Sequence, residues 1–240
     1  MRRTGFSYVS AFVRACVVVR AYVFVAACAC LSITAARGAA EPGDTQKRIS
    51  AASEGMTRPY SHPAIDDAKA LRGAPLLAAL RQGGLILFMR HTQTGTVTPQ
   101  CTVSNLTPAG ERDARFVGEA IRSLRISIGR VLSSPVCRVA DTARLLGLGA
   151  PELSADFSNV PTSPDTDLGA LRAKRLAEAP APGTNVMIAS HMQSGKSQAH
   201  WIHMDFGEIV VFKPDGQGRS DAIARIRADD WYDLMAAEKK

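Results

Sequence analysis

Three short apolar runs with helix-like segments between them constrain this chain more than any other feature. They are LILFM (Leu85 to Met89), VLSS after Gly129-Arg130, and NVMIAS (Asn185 to Ser190). Each is too short for a buried helix and lacks the polar alternation of a strand with one wet face. Such runs read as strands covered on both faces, the signature of a parallel sheet. The intervening segments have helical period and punctuation. Thr107 can cap a helix that Pro108 opens and ERDARFVGEAIRSLR continues. CRVADTARLLGLG closes on glycine, and SPDTDLGALRAKRLAEAP stops at Pro180. A further helix is expected in AKALRGAPLLAALRQGG, ending at Gly83-Gly84, and another in DDWYDLMAAEKK. ELSAD reads as a short strand, and GEIVVFKP and DAIARIR as an antiparallel pair around DGQGRS. The pattern predicts a three-layer α/β/α sandwich around a mostly parallel, mixed sheet.

The first forty residues stand apart from that core. MRRTGFSYVSAFVRACVVVR is basic, and the apolar stretch AYVFVAACACLSITA falls short of the ~20 residues that span a bilayer. ARGAA follows, placed for cleavage near Ala40. Residues 1–40 are expected to be a secretory signal, with no stable membrane span after its removal. A lipoprotein anchored at Cys28, in Val25-Ala26-Ala27-Cys28, is the alternative, and a retained anchor, interrupted at Arg14 and Arg20, is a third reading. Residues 41–68 are polar, rich in Pro, Gly and Ser and aperiodic, which predicts a flexible linker or N-terminal arm before a domain over 69–240. The leader also carries the charge. Taking its five arginines from the 29 Lys and Arg leaves 24 against 22 acids, a net of +2. With no basic stripe interleaved with aromatics, nucleic acid is not expected as a partner.

Cys16, Cys28 and Cys30 lie in the leader, leaving Cys101 and Cys137. In an oxidising compartment two cysteines can pair; two buried thiols are the other reading.

Ligand sites in such sheets lie beyond the carboxyl ends of the parallel strands. Here the first run ends in Arg90-His91, the second opens onto Arg138 at the start of its helix, and the third ends in His191. Two arginines, two histidines and a helix N-terminus on one sheet edge suit a phosphoryl group. Guanidinium forks bind its oxygens in bidentate fashion, and clustered cations keep a histidine neutral and nucleophilic.

Arg90-His91-Thr92-Gln93-Thr94-Gly95 resembles the RHG-type motif of the histidine phosphatase superfamily, the phosphoglycerate mutase-like phosphatases. Ser134-Pro135-Val136-Cys137-Arg138 with Thr142-Ala143 resembles that family's arginine segment, and Ser190-His191 its second histidine motif. Gly207-Glu208 is similar to its later GE, and CTVSNLTPAGERDA to its early helix. The resemblance runs in order from about Ala74 to Leu234 and implies a phosphoglycerate mutase-like fold. It implies His91 as nucleophile, forming a phosphohistidine on a small phosphorylated substrate. Arg90, Arg138 and His191 would hold the phosphoryl oxygens, with Thr94 a further contact. It implies a metal-independent scheme with no cofactor, since the protein's own cations take a metal's place. Thr92 stands where the family has glycine, and Gln93 where glutamate is common. The acid is therefore sought elsewhere, in Glu208, with Asp156 the alternative. The resemblance also implies a Cys101–Cys137 bridge tying the RH loop to the arginine helix.

Two other functions fit the same fold: a non-catalytic phosphate-binding module and a phosphomutase. Ser194-Gly195-Lys196-Ser197 has serine at 190 where a phosphate loop of the Walker type needs glycine. His200 and His203 with Asp205 lack the HExxH pattern, and His62 falls in the linker.

Overall fold

The computed structural model describes residues 65, 68–99, 101–159, 162–163, 165–192 and 204–238. The expected signal, nearly all of the linker with His62, the segment 194–197, His200 and His203 lie outside them.

The elements follow the expected alternation. Helix α1 (Gly73–Gln82) leads into β1 (Ile86–Arg90), and a hairpin of β2 (Thr94–Thr98) and β3 (Cys101–Leu106) precedes α2 (Pro108–Ser123). Then come β4 (Ile128–Ser133), α3 (Cys137–Leu146), β5 (Glu152–Leu153), a 3-10 turn (Ala155–Phe157) and α4 (Leu168–Leu176). Strand β6 (Asn185–Ser190), the pair β7 (Ile209–Pro214) and β8 (Ser220–Ile226), and α5 (Asp230–Ala237) complete it. The main sheet has six strands in the order β5-β4-β6-β1-β7-β8. Strands β5, β4, β6 and β1 run parallel, and β7 and β8 add antiparallel on one side.

Alternate residues of each central strand face two separate cores. Leu87 and Met89 of β1, Met187 and Ala189 of β6, and Ile209 and Val211 of β7 meet α1, α2, α3 and α5. Ile86, Phe88, Val186, Ile188, Val210 and Phe212 meet Phe157 and Leu176 of α4 on the other side. A fully buried Leu, Ile or Phe contributes roughly 1.5–3 kcal/mol, so a strand apolar on both faces is held twice over. This is the three-layer sandwich expected from the runs. At the amino edge of the sheet, buried Asn185 joins three segments. Its Oδ1 accepts from Leu85 N (3.1 Å), and its Nδ2 donates to Leu80 O (2.7 Å) and Ser127 O (3.0 Å). No polar group of that side chain is wasted.

The capping expectation holds at α2, where Thr107 Oγ1 accepts from Gly110 N at 3.0 Å. A Cβ on Gly110 would lie 2.2 Å from Gln93 O, so only glycine lets this helix approach the loop after β1 so closely. Helix α4 ends at Leu176, short of Pro180. Between His91 and Thr107, where a plain loop is expected, the chain forms a two-stranded sheet. Its residues are β-branched but largely polar, and Val97 and Val103 point to solvent, so the alternation that marks a half-buried strand is missing.

Cys101 and Cys137 are disulfide-bonded, with Cα atoms 6.0 Å apart. The bridge fastens the hairpin to the first residue of α3, next to Arg138. It closes a sequence separation of 36 residues. Replacing both cysteines by serine is expected to lower unfolding free energy by about 3–4 kcal/mol, measured by urea titration. A double variant as stable as the oxidised protein would contradict that.

Candidate active site

The carboxyl ends of β1, β4 and β6 lie side by side. Arg90 is in register with Ser190, His91 N donates to Ser190 O (2.9 Å), and Ser134 N donates to Ala189 O (3.1 Å). This lattice sets the two imidazoles 5.6 Å apart, edge to face. The four groups expected at the three strand ends do come together.

Arg138 bridges them. Its Nε donates to His91 Nε2 at 3.2 Å and its Nη2 to His191 Nδ1 at 3.3 Å. A guanidinium can only donate, so each of those ring nitrogens presents a lone pair. The opposite nitrogens agree. His91 Nδ1 lies 2.9 Å from Thr92 O, a carbonyl that can only accept, so it carries the proton. His191 Nε2 then donates to Ser134 Oγ at 3.1 Å. His91 is thus a neutral imidazole with its Nδ1–H anchored and its Nε2 lone pair turned to the arginine.

Electrostatics reinforce that state. Burial pushes the His91 pKa down to about 4, helped by Arg90 and Arg138 and opposed by the Thr92 carbonyl. Burial takes His191 down to about 2, with His91, Arg138, Arg172 and Arg90 adding to it. Unfolding returns both rings to a value near 6.5. Below that pH the unfolded chain binds protons that the folded chain refuses, so stability falls as pH falls from about 6.5 toward 4. We expect the thermal midpoint of the wild type to drop over that window. In His191→Asn the drop should be shallower; an equal slope in the two would argue against the assignment.

Arg90 is buried, and desolvation lowers its pKa to about 10, opposed by the nearby charges of Asp205 and Glu208. Its Nη1 donates to Met204 O at 2.7 Å, and its Cζ lies 3.9 Å from the centre of the Phe206 ring. Its Nε is buried with no hydrogen-bond partner among the described residues. A buried donor left over in this way is costly unless something accepts from it.

Thr92, at the family's glycine position, is also buried. Its N and Oγ1 both lie 3.3 Å from Thr142 Oγ1, and that hydroxyl donates to Arg138 O. The threonine therefore ties the loop to the arginine helix. Gln93 Oε1 accepts from Thr107 Oγ1 (2.8 Å), so its side chain serves the start of α2. Thr94 opens β2 opposite Leu106, half-buried.

Both acid candidates are ion-paired to an arginine, Glu208 to Arg225 and Asp156 to Arg175. Glu208 is buried, with Oε1 accepting from Arg225 Nε (2.6 Å) and Oε2 from Arg225 Nη2 (2.8 Å) and Asp205 N (2.7 Å). The carboxylate thus pairs with Arg225 and holds the backbone N–H of Asp205. Arg225 lies on β8, 17 residues downstream of Glu208, and no motif in the sequence links the two. Asp156 accepts from Arg175 Nε at 2.8 Å, an ion pair near the surface.

Sequence reasoning missed Arg172 and Phe206. Arg172 is 1% exposed and donates to Ser158 O, and its charge reaches His191. It lies in a helix with Lys174 and Arg175, where nothing in spacing separates a buried arginine from solvated ones. Phe206 sits in MDFGE, a stretch without period.

Residues 86–159 match the model of the Histidine phosphatase superfamily (branch 1). No curated protein matches the chain. Among solved structures, the chain is similar to the protein histidine phosphatase SixA complexed with tungstate. Identity is 18%, the match covers 61% of this chain and 98% of that one, and the TM-score is 0.47. It is similar to a putative alpha-ribazole-5'-P phosphatase from Escherichia coli at 14% identity, 61% and 98% coverage and TM-score 0.42. It is similar also to the ecdysone phosphate phosphatase from Bombix mori in complex with tungstate, at 12% identity, 59% and 92% coverage and TM-score 0.42.

Proposed function

We propose that the chain is a histidine phosphatase that hydrolyses a small phosphomonoester through a phosphohistidine. One observation carries this reading: a single guanidinium, Arg138, spans two neutral imidazoles, with the His91 Nε2 lone pair presented and its Nδ1–H anchored. The superfamily match over residues 86–159 supports it, since those residues contain Arg90, His91 and Arg138.

The chemistry follows from those atoms. An arriving phosphoryl group competes for the Arg138 fork and frees Nε2. That lone pair attacks phosphorus as the ester P–O bond breaks; the leaving oxygen departs as an alkoxide with the bonding electrons and takes a proton from solvent water to become the alcohol. Nδ1–H stays on Thr92 O and stabilises the ring as it becomes positive. Arg90 and Arg138 neutralise charge on the equatorial oxygens, where fixed donors act most strongly. Water then attacks phosphorus, the N–P bond breaks, and phosphate departs with His91 neutral again.

Protein quenched in alkali during hydrolysis of an aryl phosphate should carry a base-stable, acid-labile phosphoryl group, and turnover should persist in excess chelator. Turnover without such an intermediate, or activity abolished by chelation, would overturn the mechanism. The leader and the bridged cysteines support export, with the periplasm as the site of action; cell fractionation tests that part separately.

A further inference from the structure

The turn that follows the undescribed segment 193–203 lies directly on the RH pair. Gly207, at φ +74°, sends its N–H to both Arg90 O and His91 O at 3.2 Å, and Glu208 N closes the turn on Asp205 O at 3.1 Å. The buried Glu208 carboxylate holds it from below, through Asp205 N and the paired contacts from Arg225. The turn thereby presents Phe206. Its ring lies 3.9 Å from the Arg90 guanidinium carbon and 5.4 Å from the centre of the His91 ring, tilted by 45°.

Phe206 is only half-buried, unlike Phe88, Phe157 and Phe212, which are at most 2% exposed. Core packing therefore does not account for its place. What it touches is a buried cation and the nucleophile. The Met204 carbonyl takes one N–H of the Arg90 fork, and an aromatic face against the guanidinium restricts how the fork can rotate. On the phosphatase reading, we infer that Phe206 is a positioning residue: with Met204 O it fixes the Arg90 fork beside His91, so that the leftover Nε–H is held for a phosphoryl oxygen. Glu208 belongs to the same device, as the brace of the turn.

The test uses Phe206→Leu, which keeps apolar bulk without a π face, and Phe206→Tyr, which keeps the face. Aryl phosphate hydrolysis, inorganic phosphate binding by calorimetry and the thermal midpoint are measured for both. Phe206→Leu is expected to bind phosphate about tenfold more weakly and to lose about tenfold or more in kcat/KM. Phe206→Tyr should stay within about threefold of wild type, with both midpoints close to it. Leucine equal to wild type in phosphate affinity, or tyrosine falling as far as leucine, overturns the inference. If wild type binds phosphate without hydrolysing the ester, the phosphatase reading fails while the binding comparison still decides Phe206's role. If wild type does not bind phosphate, both fail.

Discussion

Replacing His91 by alanine is expected to lower kcat for aryl phosphate hydrolysis by at least about a thousandfold, with the phosphoenzyme no longer trapped. The size follows from what is removed. A covalent nucleophile acts as a unit with the groups around it, so deleting it forfeits nearly all of their joint effect. The structure adds a control. His91 meets its surroundings through Thr92 O, Arg138 and the two flanking rings, and it sits at the rim of the apolar layers. Its loss should leave the folded protein intact, which circular dichroism can verify. A variant with normal turnover would refute the nucleophile assignment. A variant that lost turnover only by unfolding would leave His91→Gln, nearer in size, to decide it.

The second large effect is expected at Arg138. Arg138→Lys retains the charge yet should cost about a hundredfold or more in kcat/KM. An arginine reaches His91 Nε2 and His191 Nδ1 from two nitrogens of one rigid plane. A lysine ammonium donates from one point on a shorter stem and lacks the planar two-nitrogen spacing that matches the two ring nitrogens and then two phosphoryl oxygens. The loss should appear in kcat more than in KM, because the fork is asked to follow charge that develops in the transition state. Near-normal kinetics in the lysine variant would mean that charge alone suffices.

Much of this was legible in the residues. Apolar runs unbroken by polar positions could only be strands buried on both faces, and β1, β4 and β6 lie where those runs fall. The carboxyl-end rule then placed Arg90, His91, Arg138 and His191 together, because parallel strands must all end on one side. Thr107 with Pro108 marked the start of α2 through local backbone chemistry. What stayed hidden depends on contacts that sequence spacing does not encode. The β2–β3 hairpin is wet on both faces and so carries no hydrophobic period. The partner of Glu208 is set by β7–β8 pairing, Val210 opposite Arg225, which places that arginine over a carboxylate whose motif suggested an acid. Arg172 looks like its solvated neighbours until α4 is packed on the sheet.

The parallel pairing of β1 with β6 has a consequence for how the molecule comes into being. Leu85 and Asn185 are 100 residues apart in the chain yet bonded, and Arg90 finds its carbonyl acceptor 114 residues away. Closing such long loops is the slow part of assembling a nonlocal topology. No early, locally folded fragment contains both imidazoles in place, since His91 and His191 meet only across that ladder. During refolding, helical signal should therefore return before phosphate affinity does, and competence is gained at the last closure of the chain.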